Sequence, residues 1–201
     1  MQEQATLSTS KTPPCQDEVR KTVKSGDLSG RSGRRTVLQT RQIIPPLTAR
    51  TPAGQTVQAW DFKQKKNLVI AFLHAGCTRC EDFLERLRER APALAELEAV
   101  ALVIFSEPPP AKLAEGGGAN VVVAADVSGR SQRAFLGEDA FGPAGQELLG
   151  VFVCDRYAEL YAQWTGRGEE ALPGIENVLS WLGQIEVACE ECGVSHWPTE
   201  S

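Results

Sequence analysis

A chain of 201 residues, 42% hydrophobic and with a net charge of −5, suits one domain with extensions and is long enough to bury a proper core. Six cysteines are too few for a disulfide scaffold, and no apolar run approaches the roughly 20 residues of a membrane-spanning helix. The start, Met1-Gln2-Glu3-Gln4, has neither a basic n-region nor an apolar h-region; with paired thiols, this predicts a reducing, cytoplasmic setting.

Charge divides the chain. Residues 1–50 hold nine basic side chains against four acidic ones, and the remainder holds 12 against 22. Residues 1–42 therefore read as a basic, solvated arm broken by Ser25-Gly26, Ser29-Gly30 and Ser32-Gly33. Without interleaved aromatics the arm is disfavoured as a nucleic-acid binder, and Cys15 within it reads as an incidental thiol. A domain is expected over 43–188. Pro45-Pro46 opens it, and Thr56-Val57-Gln58-Ala59-Trp60 alternates like a strand. Leu68–Leu73 is an apolar run of strand length, followed by a helical pattern that starts at Cys77 and continues through Phe83, Leu84 and Leu87. Pro92 restarts or kinks that helix. Next come a buried strand over Ala101–Phe105, a short helix between Glu107-Pro108-Pro109-Pro110 and Gly116-Gly117-Gly118, a strand over Val121–Ala124 and a helix over Ser131–Leu136. Val151–Cys154 and Glu159–Trp164 flank a turn and predict a hairpin, with Cys154 as a small core residue. A last helix runs from Pro173 or Gly174 to about Ala188. Continuous apolar strands alternating with helices indicate an α/β fold whose mixed sheet is covered on both faces.

Two Cys-x-x-Cys pairs contain four of the six cysteines, and the two histidines lie beside them. This spacing serves either a redox dithiol or half of a metal site. Cys77-Thr78-Arg79-Cys80 sits at a strand-to-helix turn, where unpaired N–H groups and the positive end of the helix dipole favour an anion. Cys77 is the expected nucleophile, its thiolate helped by Arg79 and opposed by Glu81 and Asp82. Cys80, one turn in, is the less exposed thiol that closes the disulfide. His74 reads either as a base or cation beside Cys77 or as a half-exposed residue at its strand's end.

The second pair stands in residues 189–201. Cys189-x-x-Cys192-x-x-x-His196 supplies three zinc-type ligands where a structural site wants four, and Glu190 and Glu191 oppose thiolate formation. Three readings stay open: metal binding, sharpest as zinc shared across a homodimer; a secondary redox pair; an inert tail. About 15 helical residues, at ~1.5 Å each, are expected to separate this pair from Cys77 and Cys80.

The order strand, Cys77-x-x-Cys80 at a helix start, βα units, then Gly150–Tyr157 and a final helix resembles the thioredoxin fold. Pro46 ahead of Trp60, and Asn67–Phe72 leading to the cysteines, resemble more narrowly the redoxin branch of alkyl hydroperoxide reductase and thiol-specific antioxidant proteins. The resemblance implies a three-layer fold with Cys77 as nucleophile and Cys80 as resolving thiol. It also has departures. Gly76 stands where thioredoxins carry Trp, Thr78-Arg79 replaces Gly-Pro, and Leu149-Gly150 occupies the place of the cis-proline. Ile70 and His74 fill the Pro and Thr/Ser positions of the peroxiredoxin motif, so the hydroxyl that orients peroxide is missing. The expected activity is thiol-disulfide exchange between a protein or small-molecule disulfide and a thiol reductant, with no cofactor required for catalysis and no membrane partner. The alternatives are a peroxiredoxin-like peroxidase using Cys77 and a non-catalytic, metal-holding or redox-sensing module.

Overall fold

The structure, a computed structural model, describes residues 38–115, 118–142, 148–168 and 171–187. Its centre is β3, Asn67–Leu73, in which all seven residues are buried. A strand buried on both faces needs cover on both sides. It pairs in parallel with β4, Ala99–Phe105, which pairs in parallel with β5, Val121–Ala125. On the other side β3 pairs antiparallel with β6, Leu149–Cys154, and β6 with β7, Leu160–Gly166. A small hairpin, β1 Thr48–Arg50 and β2 Thr56–Gln58, completes a seven-stranded mixed sheet of order β2-β1-β5-β4-β3-β6-β7.

Alternate residues of β3 feed two cores. Val69, Ala71 and Leu73 pack with α1, Thr78–Glu89, α2, Ala91–Glu96, α3, Ala111–Ala114, and α5, Ile175–Val187. Leu68, Ile70 and Phe72 pack with α4, Arg130–Leu136. In that second core Phe72, Phe135 and Phe152 meet with ring centroids 5.1–6.1 Å apart, two of the three pairs edge to face, a favoured geometry for aromatic quadrupoles. Pro92 stands in the first turn of α2, where its missing N–H costs nothing, and the helix restarts there.

Two expectations are corrected. Trp60 is not in a strand: β2 stops at Gln58 and a 3-10 turn follows over Ala59–Phe62. The Asp61 carboxylate accepts the Gln58 backbone N–H at 2.8 Å, closing that turn, and Trp60 is left exposed under the Lys63 ammonium. The domain also starts before residue 43. Leu38 is buried with Ile44 and Leu47, the Arg41 N–H donates to the Leu160 carbonyl, and Gln163 donates to the Leu38 carbonyl. The segment thus lies along β7 and belongs to the body. Leu149-Gly150 falls within β6 itself, and no peptide bond is cis among the described residues.

Gly150 is a packing requirement. A Cβ there would stand 2.6 Å from Leu136 Cδ2 and 2.8 Å from Phe152 Cε2. Gly150→Ala is expected to destabilise the protein by about 1–3 kcal/mol through overpacking, read as a lower urea midpoint at unchanged slope; an unchanged midpoint would show that Leu136 yields freely.

Candidate functional site

The dithiol sits where the fold changes from strand to helix. β3 ends at Leu73, and residues 74–77 turn through Gly76, whose φ of 77° lies in the left-handed region that glycine tolerates best. Cys77 is the N-cap of α1, and its Sγ accepts the backbone N–H of Cys80 at 3.3 Å, satisfying one of the donors that a helix start leaves unpaired. The site therefore occupies the carboxyl end of the parallel strands, where open α/β sheets place their ligands.

The two sulfurs are unequal. Both thiols are free; Cys77 is half-buried and Cys80 is fully buried in the core beneath α1. The Cys80 thiol donates towards Cys77 Sγ across 2.7 Å. That separation exceeds a disulfide bond by less than about 1 Å, so the pair closes with little movement. Burial first, then the hydrogen bond to Cys77, push the Cys80 thiol up to about 12; a hydrogen bond from the His74 backbone opposes them, and the charges of Cys77 and Glu81 add to the rise. In the reduced protein Cys80 therefore stays protonated until about pH 12.

His74 directly follows β3 and is half-buried, with both imidazole nitrogens shielded from solvent. Arg79 is exposed on the first turn of α1. The structure thus gathers four expected residues, His74, Cys77, Arg79 and Cys80, within one turn and one helix start. Cys154 is buried in β6, and burial raises its thiol well above the ordinary range. Cys189, Cys192 and His196, like Cys15, lie outside the described residues. The last turn of α5 is far from the dithiol: Asn67, at the opposite end of β3 from Cys77, donates from Nδ2 to Glu186 Oε1 at 2.5 Å. Among the described residues no cluster of three or more His, Cys, Asp or Glu side chains could hold a metal ion, and no helix is long and apolar enough to cross a membrane.

Sequence reasoning missed a cavity of about 260 Å³ between α1 and the segment leading into α5. Arg79, Asp82, Phe83 and Arg86 form one wall and residues 172–175 the other. Their i, i+3, i+4, i+7 spacing was the available signal, because it puts all four on one helical stripe.

No family model and no curated protein matches the chain. Solved structures do. A peroxidoxin, BcpB, of Mycobacterium tuberculosis superposes with a TM-score of 0.62 at 18% identity, over 74% of this chain and 98% of its own. The mitochondrial 2-Cys peroxiredoxin of Plasmodium falciparum gives 0.56 at 11%, over 74% and 94%. The thioredoxin domain of a thiol-disulfide oxidoreductase of Bacteroides vulgatus gives 0.52 at 16%, over 73% and 97%. The fold is thioredoxin-like.

The raised Cys80 and Cys154 thiols set a pH dependence. Below pH 9 both are protonated folded and unfolded. Above the ordinary value of 9.0 the unfolded thiols ionise while Cys80 holds its proton to about 12 and Cys154 also stays protonated. The unfolded state then binds fewer protons, so stability falls as pH rises from 9 towards 12. For the reduced protein, Cys80→Ala is expected to flatten this slope by about one proton, measured as unfolding free energy against pH; an unchanged slope would contradict the burial assigned to Cys80.

Proposed function

We propose that this chain is a thiol-disulfide oxidoreductase in which Cys77 attacks and Cys80 resolves. The observation that carries the reading is the half-buried Cys77 sulfur at the start of α1, 2.7 Å from the buried Cys80 sulfur. The Cys77 thiolate attacks one sulfur of a disulfide, that S–S bond breaks, and the first thiol leaves with a proton from water. Cys77 is then held in a mixed disulfide. Its hydrogen bond and its charge no longer raise Cys80, and burial remains the main brake on ionisation. Cys80 gives up its proton and attacks Cys77, the second thiol leaves, and the two cysteines are left as a disulfide. Two electrons have passed to the substrate, and an external thiol reductant returns them by the same exchange.

In this reading Arg79 favours the Cys77 thiolate, and His74, half-buried directly after β3, serves as a base or cation beside Cys77. The partners are a disulfide and a thiol reductant. The setting is a reducing one such as the cytoplasm, where a dithiol is kept ready. Similarity to solved structures named peroxiredoxins supports the fold, and His74 at the position of the hydroxyl residue argues against fast peroxide chemistry and an antioxidant role.

Cys80→Ser is expected to accumulate a mixed disulfide through Cys77, identified by mass spectrometry of the trapped peptide, whereas Cys77→Ser reduces turnover of a model disulfide to background. Trapping through any other cysteine would sink the assignment. Hydrogen peroxide should oxidise Cys77 slowly in stopped-flow competition with a known peroxidase; fast reduction, lost in Cys77→Ser, would instead make the protein a peroxidase.

A further inference from the structure

The proposed resolving step requires a buried thiol to lose a proton, so the groups around Cys80 decide how fast it runs. Cys80 is fully buried in the core to which β3 contributes Val69, Ala71 and Leu73 and α5 contributes Ile175, Val178 and Leu182. None of these side chains can accept a proton. The five buried polar side chains among the described residues lie elsewhere. Asn67 opens β3 at the end away from Cys77, and Asp155 follows β6 near that same end, where Cys154 pairs with Leu68. Asp126 leads into α4 on the other face of the sheet, and its carboxylate accepts the N–H groups of Ser131 and Gln132.

The charged groups on the surrounding elements offer no better acceptor. Both carboxylates of α5 are engaged by other groups, Glu176 by Arg90 and Glu186 by Asn67 and Arg156. Asp82, Glu85 and Glu89 stand on the exposed face of α1, opposite the face that buries Cys80. Glu81, in the first turn, adds negative charge that opposes the Cys80 thiolate, and His74 acts on Cys80 through a backbone hydrogen bond.

We propose that Cys80 has no internal base and surrenders its proton to solvent, which makes release of the second half of the disulfide the slow step and lets pH set how long Cys77 holds its substrate covalently. The proposal rests on the thiol-disulfide reading. In the first step the Cys77 thiolate bonds to one substrate sulfur, the substrate S–S bond breaks, and the first thiol leaves with a proton from water. The adduct persists until hydroxide removes the Cys80 proton. The Cys80 thiolate then bonds to Cys77 Sγ, the bond from Cys77 to the substrate sulfur breaks, and the second thiolate leaves. Two cysteines are oxidised and one disulfide becomes two thiols, so the step needs no further reactant. Because the thiolate is the nucleophile, the rate of release follows the ionised fraction of Cys80.

The test mixes reduced full-length protein with excess hydroxyethyl disulfide, quenches with acid at intervals and digests with trypsin, which cleaves after Arg79 and so separates Cys77 from Cys80. Peptide mass spectrometry then follows the mercaptoethanol adduct on Cys77 and the Cys77–Cys80 disulfide. The adduct is expected to accumulate and then decay at a rate that ignores the disulfide concentration and rises about tenfold per pH unit between about pH 7 and 9. Decay that is flat with pH, or that levels off near about pH 6.5 as a histidine base would make it do, overturns the proposal. So does a Cys77–Cys80 disulfide that forms with no adduct at any disulfide concentration. In each of these cases the exchange activity stands. If neither the adduct nor the Cys77–Cys80 disulfide forms, the exchange reading falls and this inference falls with it.

Discussion

Burial of β3 on both faces is the constraint on which the remaining architecture depends. Seven consecutive buried residues leave no polar face for solvent, so α1, α2, α3 and α5 cover one side and α4 with residues 38–47 covers the other. The run stops at Leu73, and the chain must leave the sheet within a few residues to lay α1 back across it. Gly76 makes that turn possible with a positive φ, and Cys77 caps the first turn of α1. The site is the place where a doubly covered strand ends.

The same geometry divides the two cysteines. Capping holds Cys77 at the solvent edge with its sulfur receiving an N–H, whereas Cys80, one turn on, enters the core shared with Leu84 and Leu87. A Cys-x-x-Cys spacing on a helix start converts small differences in depth into different chemistry: one sulfur is accessible and the other resists ionisation. In the proposed exchange, attack and resolution are ordered by the same burial that stabilises the fold. Reversing the order would require a charged sulfur inside an apolar core, which desolvation opposes strongly.

Much of this was legible in the sequence. Leu68–Leu73, Ala101–Phe105 and Val121–Ala124 carry strand length and apolarity within themselves, and the register of Phe83, Leu84 and Leu87 carries the helix. The errors fell where structure depends on distant partners. Thr48–Arg50 is only three residues of mixed character, and it is a strand because β2 and β5 supply its hydrogen bonds. Trp60 continued an alternating pattern, but the Gln58 N–H donates to the Asp61 carboxylate and the strand ends two residues earlier. Leu38 looked like part of a polar arm because the Gln163 side chain that binds its carbonyl is 125 residues away, on β7. The α1 wall of the cavity was readable as a stripe, whereas the opposing wall at residues 172–175 required the tertiary fold.

Gly76 ties one of the site's departures from the thioredoxin pattern to its backbone geometry. A tryptophan at that position would have a side chain where φ is 77°, a conformation that bulky residues adopt only with strain. The left-handed turn therefore disfavours the tryptophan that thioredoxins carry there, and among the described residues nothing lies within 4 Å of a Cβ at Gly76. Arg79, where thioredoxins carry proline, adds a charge at the second residue of the helix without altering its backbone, since both residue types are tolerated in a first turn. Together the two exchanges remove an apolar contact on one side of Cys77 and introduce an ionic one on the other. The proposed thiol chemistry is compatible with this change, because it depends on the capped helix start and the burial of Cys80. In that proposal the surroundings a disulfide meets differ from those of thioredoxins, because the groups next to Cys77 have exchanged aromatic surface for charge.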